Sequence, residues 1–255
     1  MHKHKHVYNL RRDKPDSRDR VMLIRPNLAV MPQVIDLRPN CPAIYDQGDL
    51  GSCSANAIGA ALDFIHKQDN PTKDFFNPSR LFIYFNERSS EGTIDIDAGA
   101  SIRDGIVSVN QTGACKETTW PYDISQFKIK PPIIAYNEAR DYQAIAYQRV
   151  PLIPDMIQSV LAANMPIVCG ISIYSSFESE VVAKTGLVPL PDTQHEQGLG
   201  GHAVVIVGID SIRQIFIIRN SWGVGWGQAG YFTVPFAYLV NSGLAWDAWA
   251  ISKGE

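Results

Sequence analysis

Long apolar runs are missing from this chain. No stretch of its 255 residues approaches the roughly 20 consecutive apolar residues that a membrane-spanning helix needs, so no membrane partner is expected. Cysteine is scarce: Cys41, Cys53, Cys115 and Cys169 are too few for the dense disulfide framework of a small secreted domain. An excess of basic charge is missing too. Lys and Arg number 23 against 26 Asp and Glu, a net charge of −3 that argues against a nucleic-acid partner. Met1 to Leu10 has basic residues with no apolar core behind them, so no secretory signal peptide is read there, and a cytoplasmic location or a non-classical export route is expected. There is no internal repeat and no low-complexity segment. What remains, 45% hydrophobic and 19% charged residues, is ordinary for a globular chain of one large or two small packed domains.

The most informative stretch runs from Gln47 to Ile58, where a polar, Gly-rich loop meets a segment with Ala55, Ile58, Leu62 and Ile65 at spacings of three and four. That periodicity predicts an amphipathic helix opening near Cys53. A thiol at a helix N-terminus faces unpaired N–H groups, ionises more readily, and attacks as the thiolate. An inert, buried cysteine is the commoner fate of a lone Cys. The flanking glycines and Gln47, whose amide can be aimed at the same point, favour the reactive reading.

A thiolate needs a partner, and Gly200-Gly201-His202-Ala203 followed by Val204 to Val207 places an imidazole at the mouth of a buried strand. Asn220, in Asn220-Ser221-Trp222-Gly223, ends the next apolar run and can orient that ring, although an Asn there is often only a turn residue. Two other histidines take plainer readings. His66 suits the last turn of the first helix, and His195 belongs to a solvated loop. No metal or cofactor is implied.

Around these motifs the chain divides in character. A charged leader, residues 1 to 30, ends in the apolar patch Val21 to Ile24, and Met31 to Arg38 looks like an extended strand feeding the cysteine loop. Asn77 to Asn86 and Ile102 to Val109 read as helices, with a loop from Glu91 to Ser101 between them. Trp120-Pro121-Tyr122 and Lys130-Pro131-Pro132 mark a boundary near residue 130. Beyond it, strands are expected over 141–150, 167–174, 201–209, 215–219, 230–234 and 245–251, with a short helix over 154–164, suggesting a small antiparallel barrel. Cys41 and Cys115, in loop-like surroundings, could pair, and three free thiols beside Cys53 fit equally well.

Gln47, Gly51-Ser52-Cys53, Gly201-His202-Ala203 and Asn220-Ser221-Trp222-Gly223, in that order, resemble the papain family of cysteine peptidases, in a microbial-type branch with a short N-terminal extension. The resemblance implies an α+β fold with a helical left domain over 31–130, an antiparallel β-barrel right domain over 131–255, and the active site in the cleft between them. It implies hydrolysis of peptide or protein substrates through a Cys53 thioester, with His202 as general acid and base, Asn220 orienting it, Trp222 shielding that bond, and Gln47 with the Cys53 N–H as oxyanion hole. Gly51, Ser52, Gly99, Ala100, Gly201, Ala203, Trp222 and Asp247 are then the expected substrate-binding residues. The pocket that Ala203 lines is expected to be floored by the last strand near Trp246 or Asp247, and an Asp247 directed into it admits Arg or Lys there. The family's cysteine three positions before the nucleophile is Leu50 here, and the aromatic residue after it is Ser54. The leader is expected to lie over the cleft and inhibit it, with Val21 to Ile24 seated against the globular part; packing on the back of the domain is the alternative. Two other functions stay open: an acyltransferase of transglutaminase type, which usually orients its His with Asp, and a catalytically silent binding protein.

Overall fold

The computed structural model describes residues 6–23, 31–69, 76–143 and 145–253. Strand β1 (Val34–Asp36) is followed by three helices, α1 (Cys53–Asp69), α2 (Arg80–Glu91) and α3 (Ile102–Thr112). Ser79 starts α2 by accepting the Phe82 N–H at 3.1 Å, and Gly92 ends it in the left-handed conformation at φ 71°. Ser101 caps α3 in the same way through the Asp104 N–H.

Helix α1 departs from the amphipathic expectation. Every residue from Cys53 to Phe64 is buried, Ser54, Asn56 and Asp63 included. The helix is wedged between the sheet on one side and α2 and α3 on the other, so it has no solvent face to spend on polar residues. Ala55, Ala57, Gly59, Ala60 and Ala61 keep it thin enough to fit.

The second half is built on an antiparallel sheet. Helix α4 (Ile133–Ala139) leads to β2 (Ile145–Arg149), α5 (Pro154–Ala162), β3 (Ile167–Tyr174), α6 (Glu180–Thr185), β4 (Gly198–Asp210), β5 (Ile215–Arg219), β6 (Tyr231–Pro235), α7 (Phe236–Leu239) and β7 (Ala245–Lys253). The strand order is β2-β7-β3-β4-β5-β6, with β1 joining the far end of β4 through Val34↔Asp210 and Asp36↔Gly208. The strand expected over 141–150 starts later than its β-branched pattern suggested. Ala135 and Ala139 pack with Phe82 and Cys115, which keeps this stretch helical up to a 3₁₀ turn at Arg140–Tyr142.

All four cysteines are free, so the Cys41–Cys115 pairing does not occur. Cys115 is buried beside Phe82 in the helical half, whereas Cys41 packs near Arg219 and Tyr231 of the sheet. No helix among the described residues is long and apolar enough to cross a membrane.

Arg88, fully buried on α2, holds the turn after that helix. Its guanidinium donates to the carbonyls of Ile94 at 2.8 Å and Ile96 at 3.2 Å and to that of Phe127, over the Tyr84 ring at 4.1 Å. Arg88→Met fills similar volume but leaves these carbonyls without a donor. It is expected to cost about 3 kcal/mol in urea unfolding.

Candidate active site

The loop before α1 is fixed from three directions. The Gln47 N–H donates to the Ser221 carbonyl at 2.9 Å, and Ser221 Oγ donates to Gln47 Oε1 at 2.6 Å, so the side-chain NH₂ is turned away from Ser221 and gives one hydrogen to the Leu50 carbonyl at 3.0 Å. The Tyr122 hydroxyl donates to the Gln47 carbonyl at 3.0 Å and contacts Ser52 Oγ, while Asp97 accepts the Gly51 N–H at 2.9 Å. Cys53 is therefore presented as the first residue of α1 by a loop whose polar groups are engaged.

Across from it, β4 carries His202, paired with Ile171 of β3. His202 Nε2 lies 2.8 Å from Asn220 Oδ1, and the same oxygen accepts the Ser221 N–H at 2.9 Å. Two donors converging on one atom identify it as the amide oxygen, so Nε2 carries the proton and Nδ1 is the free lone pair of the neutral ring. Nδ1 has no hydrogen-bond partner among the described residues. Trp222 lies over the imidazole with ring centroids 5.0 Å apart. Gln47, Cys53, His202 and Asn220, distant in sequence, are thus all buried at the junction of α1 with the sheet.

Residues 6–23 form a strap across this junction. The Leu10 N–H donates to the Gly201 carbonyl at 3.2 Å and the Arg11 N–H to the Ala100 carbonyl at 3.1 Å, so the strap bridges the two walls. Asn9 donates to the Asp97 carbonyl at 3.0 Å. The backbone passes so close to Gly99 (φ +65°) that a Cβ there would meet the Asn9 carbonyl oxygen at 2.3 Å. His6 stacks on Trp222 at 3.8 Å, and Tyr8 stands edge-on to His202 at 6.2 Å with its hydroxyl on Glu178. Leu10 is buried against Gly170, Gly201 and Trp246.

Burial governs the protonation of Cys53 and His202. Burial pushes the Cys53 thiol up to about 12, against the N–H groups of Ala203, Ser54 and Cys53 that favour the thiolate. Burial likewise pulls His202 down to about 4, against its bond to Asn220. Both groups are neutral at pH 7 with the strap in place.

Of the residues expected to bind substrate, Gly51, Gly99, Ala100 and Gly201 touch or bond the strap, while Ser52 and Ala203 are buried beneath it. Asp247 lies elsewhere than on the floor of the Leu10 pocket. Its carboxylate bonds Arg149 at 3.0 Å and the Asp13 N–H at 2.6 Å, and Trp246 walls the pocket instead. Of the Val21 to Ile24 patch, only Met22 is buried among the described residues. Val21 bridges to Arg149, Leu23 is exposed, and Ile24 lies outside the described residues. Sequence reasoning missed Ser221, Tyr122 and Asp97, which set the loop, and Asp13. Tyr122 carried a signal in the Trp120-Pro121-Tyr122 stretch and Ser221 in the Asn220-Ser221-Trp222-Gly223 motif; Asp97 and Asp13 carried none.

Comparison with known proteins agrees with this geometry. A sequence model described as papain family cysteine protease matches residues 31–247. An uncharacterized peptidase C1-like protein of Acanthamoeba polyphaga mimivirus is 41% identical over 268 aligned residues, covering 95% of this chain and 85% of that protein. Xylellain, a cysteine protease from Xylella fastidiosa, superposes with a TM-score of 0.88 at 38% identity, over 98% of this chain and 97% of its own. Digestive procathepsin L 3 of the Tenebrio molitor larval midgut shares the fold, with a TM-score of 0.71 at 16% identity, over 99% of this chain and 76% of its own.

The far end of the strap carries a buried carboxyl. Asp13 accepts from the Arg103 N–H at 2.9 Å, from Trp249 Nε1 at 2.8 Å and from Arg149 at 3.2 Å, with Asp247 beside it and Asp16 and Asp19 of the strap on Arg103. Burial first, and then Asp247, raises it from 3.8 to about 6. The docked strap therefore binds a proton that a free one releases, so this contribution to docking is complete below 3.8 and lost as pH rises through 6. Glu178, held low by hydrogen bonds from His6 and Tyr8, acts oppositely: its contribution is present above its ordinary 4.5 and lost on acidification. Amide exchange at Leu10 and Arg11, corrected for intrinsic rates, is expected to lose about fourfold in protection between pH 5.5 and 8. Asp13→Asn should flatten that change.

Proposed function

The chain belongs to the papain family of cysteine proteases, and from that premise we propose that Cys53 attacks the carbonyl carbon of a peptide bond with His202 as its proton carrier. The single observation that carries this reading is the 2.8 Å contact of His202 Nε2 with Asn220 Oδ1, which leaves Nδ1 without a partner among the described residues, while Cys53 takes a backbone hydrogen bond from Ala203, the residue next to His202. Nδ1 takes the Cys53 proton, giving thiolate and imidazolium, a step favoured once water and substrate replace the strap and relieve the burial that keeps both groups neutral.

The thiolate adds to the carbonyl, and the oxyanion accepts hydrogen bonds from the Cys53 N–H and from the second amide hydrogen of Gln47. As the tetrahedral adduct collapses, the C–N bond breaks and the imidazolium gives its proton to the departing amine, leaving a thioester on Cys53. Water then adds to the thioester while Nδ1 removes its proton. Breaking the C–S bond releases the acid, and the thiolate returns to its pairing with imidazolium. Asn220 keeps the ring in one orientation throughout, and Trp222 excludes water from that bond. Substrate is a peptide or protein lying between Gly99–Ala100 and Gly201, where the Gly201 and Ala100 carbonyls accept amides.

In the full-length chain residues 1–30 inhibit this site intramolecularly. Occupation of both walls by Asn9 to Arg11 supports that reading, as does the seating of Leu10 in the pocket beside Trp246. The strap blocks substrate and, by drying Cys53 and His202, also removes the charges that the reaction needs.

Reaction of the full-length protein, a 1–30 deletion and Cys53→Ala with an epoxide-type peptidyl probe, read by intact mass, tests both parts. Labelling is expected at Cys53 alone and faster in the deletion; a folded deletion that labels no faster removes the inhibitory role. In peptide hydrolysis, Gln47→Ala should lower kcat by roughly a hundredfold, as expected when one oxyanion donor is lost.

A further inference from the structure

A carboxyl group that the reaction above does not use lies against the first turn of α1. Glu87 of α2 is wholly buried, and its Oε1 accepts a hydrogen bond from Ser54 Oγ at 2.7 Å, one residue beyond the nucleophile. Its second oxygen has no hydrogen-bond partner among the described residues. It rests against Gly105 of α3, where even a Cβ would come within 2.5 Å of Glu87 Oε2 and of Ile58 Cδ1. The carboxyl therefore occupies a slot between α1 and α3 that a glycine keeps open.

Among the described residues no cation forms an ion pair with it. The charged groups facing it are Arg88 on its own helix, Asp104 on α3 and Arg11 on the strap. Arg88 is committed to the carbonyls of Ile94, Ile96 and Phe127, and Arg11 to Glu91. Burial consequently raises Glu87 to about 8, in spite of the Ser54 bond. A helix N-terminus offers the field of roughly half a positive charge. A carboxylate and a thiolate on the same turn compete for it, and a Glu87 anion acts on Cys53 in the direction that holds its proton on.

Resting on the reading of Cys53 as nucleophile, we propose that Glu87 is a positioning residue for it: as a neutral carboxylic acid it fastens Ser54, and so the first turn of α1, while leaving the field of that helix end to the thiolate. Ionised Glu87 would still hold Ser54 but would withdraw the thiolate. The position after the nucleophile is then a polar anchor that sets an alkaline limit on the enzyme.

The test measures the pH dependence of Cys53 alkylation by iodoacetamide, located by peptide mass mapping, in the full-length protein, Glu87→Gln and Ser54→Ala between pH 6 and 9.5. Gln keeps an acceptor for Ser54 and cannot ionise. Comparing each variant with the parent at the same pH cancels the opening of the strap. The Glu87→Gln to parent rate ratio is expected to grow about threefold or more from pH 6 to pH 9, the effect of half a pKa unit or more on Cys53. Ser54→Ala removes the bond that favours the carboxylate, so its ratio should grow in the same sense, and it carries the test if Glu87→Gln fails to fold. A ratio that stays flat across the range in the folded variants overturns the proposal, because a purely structural Glu87 would change the rate without changing its pH profile. A parent in which Cys41 is alkylated and Cys53 never is would overturn the nucleophile reading, and the proposal with it.

Discussion

Burial of the N-terminus of α1 is the constraint on which the rest of the site depends. A helix end must satisfy N–H groups that have no partner within the helix, and this one lies where water does not reach while the strap is in place. The Cys53 sulfur is the acceptor on which the N–H groups of Cys53, Ser54 and, from β4, Ala203 converge, while the Ser54 hydroxyl donates to Glu87 behind it. The small residues along α1, Ala55, Ala57, Gly59, Ala60 and Ala61, are the condition for this arrangement. A bulkier helix would not let α2, α3 and the sheet close on it together.

The sheet supplies what the helix lacks. His202 and Asn220 come from β4 and from the end of β5, and the turn after β5 reaches back through Ser221 to hold Gln47. One short segment, Asn220 to Trp222, thus bonds the imidazole, holds the Gln47 side chain and covers the ring. The two halves of the molecule are joined where Gln47, Cys53, His202 and Asn220 are buried.

The strap uses the same surfaces. Its backbone bonds to Gly201 and Ala100, its aromatic end covers His202 and Trp222, and its acidic end binds Arg103 and Arg149. Cover by such a segment acts electrostatically as well as sterically, because a desolvated thiol and imidazole stay neutral. Its anchor is a carboxyl that is itself costly to bury charged, so docking carries a pH dependence separate from that of the catalytic pair.

The motifs around Cys53, His202 and Asn220 were legible because each ties a reactive side chain to a local signal: a loop opening a helix, glycines before a β-branched run, an Asn ending one. Those signals also set the helical first half and the stranded second half, because periodicity and turn residues act within a few residues of one another. Contacts across the fold left no such trace. Nothing in the chain marks Glu87 as the partner of Ser54, Asp13 as a buried anchor, or Ser221 as the support of Gln47, since each depends on elements far apart in sequence. Asp247 illustrates the limit: β7 could be located, but its floor position depended on which residue, Trp246 or Asp247, faced the pocket. The sequence by itself determined the residue types for a thiolate–imidazole reaction and the order of elements that carry them. Only the tertiary structure decided which groups share a buried space, and so which are neutral, which are paired and which are covered, because desolvation and hydrogen bonding act through distance in space rather than along the chain.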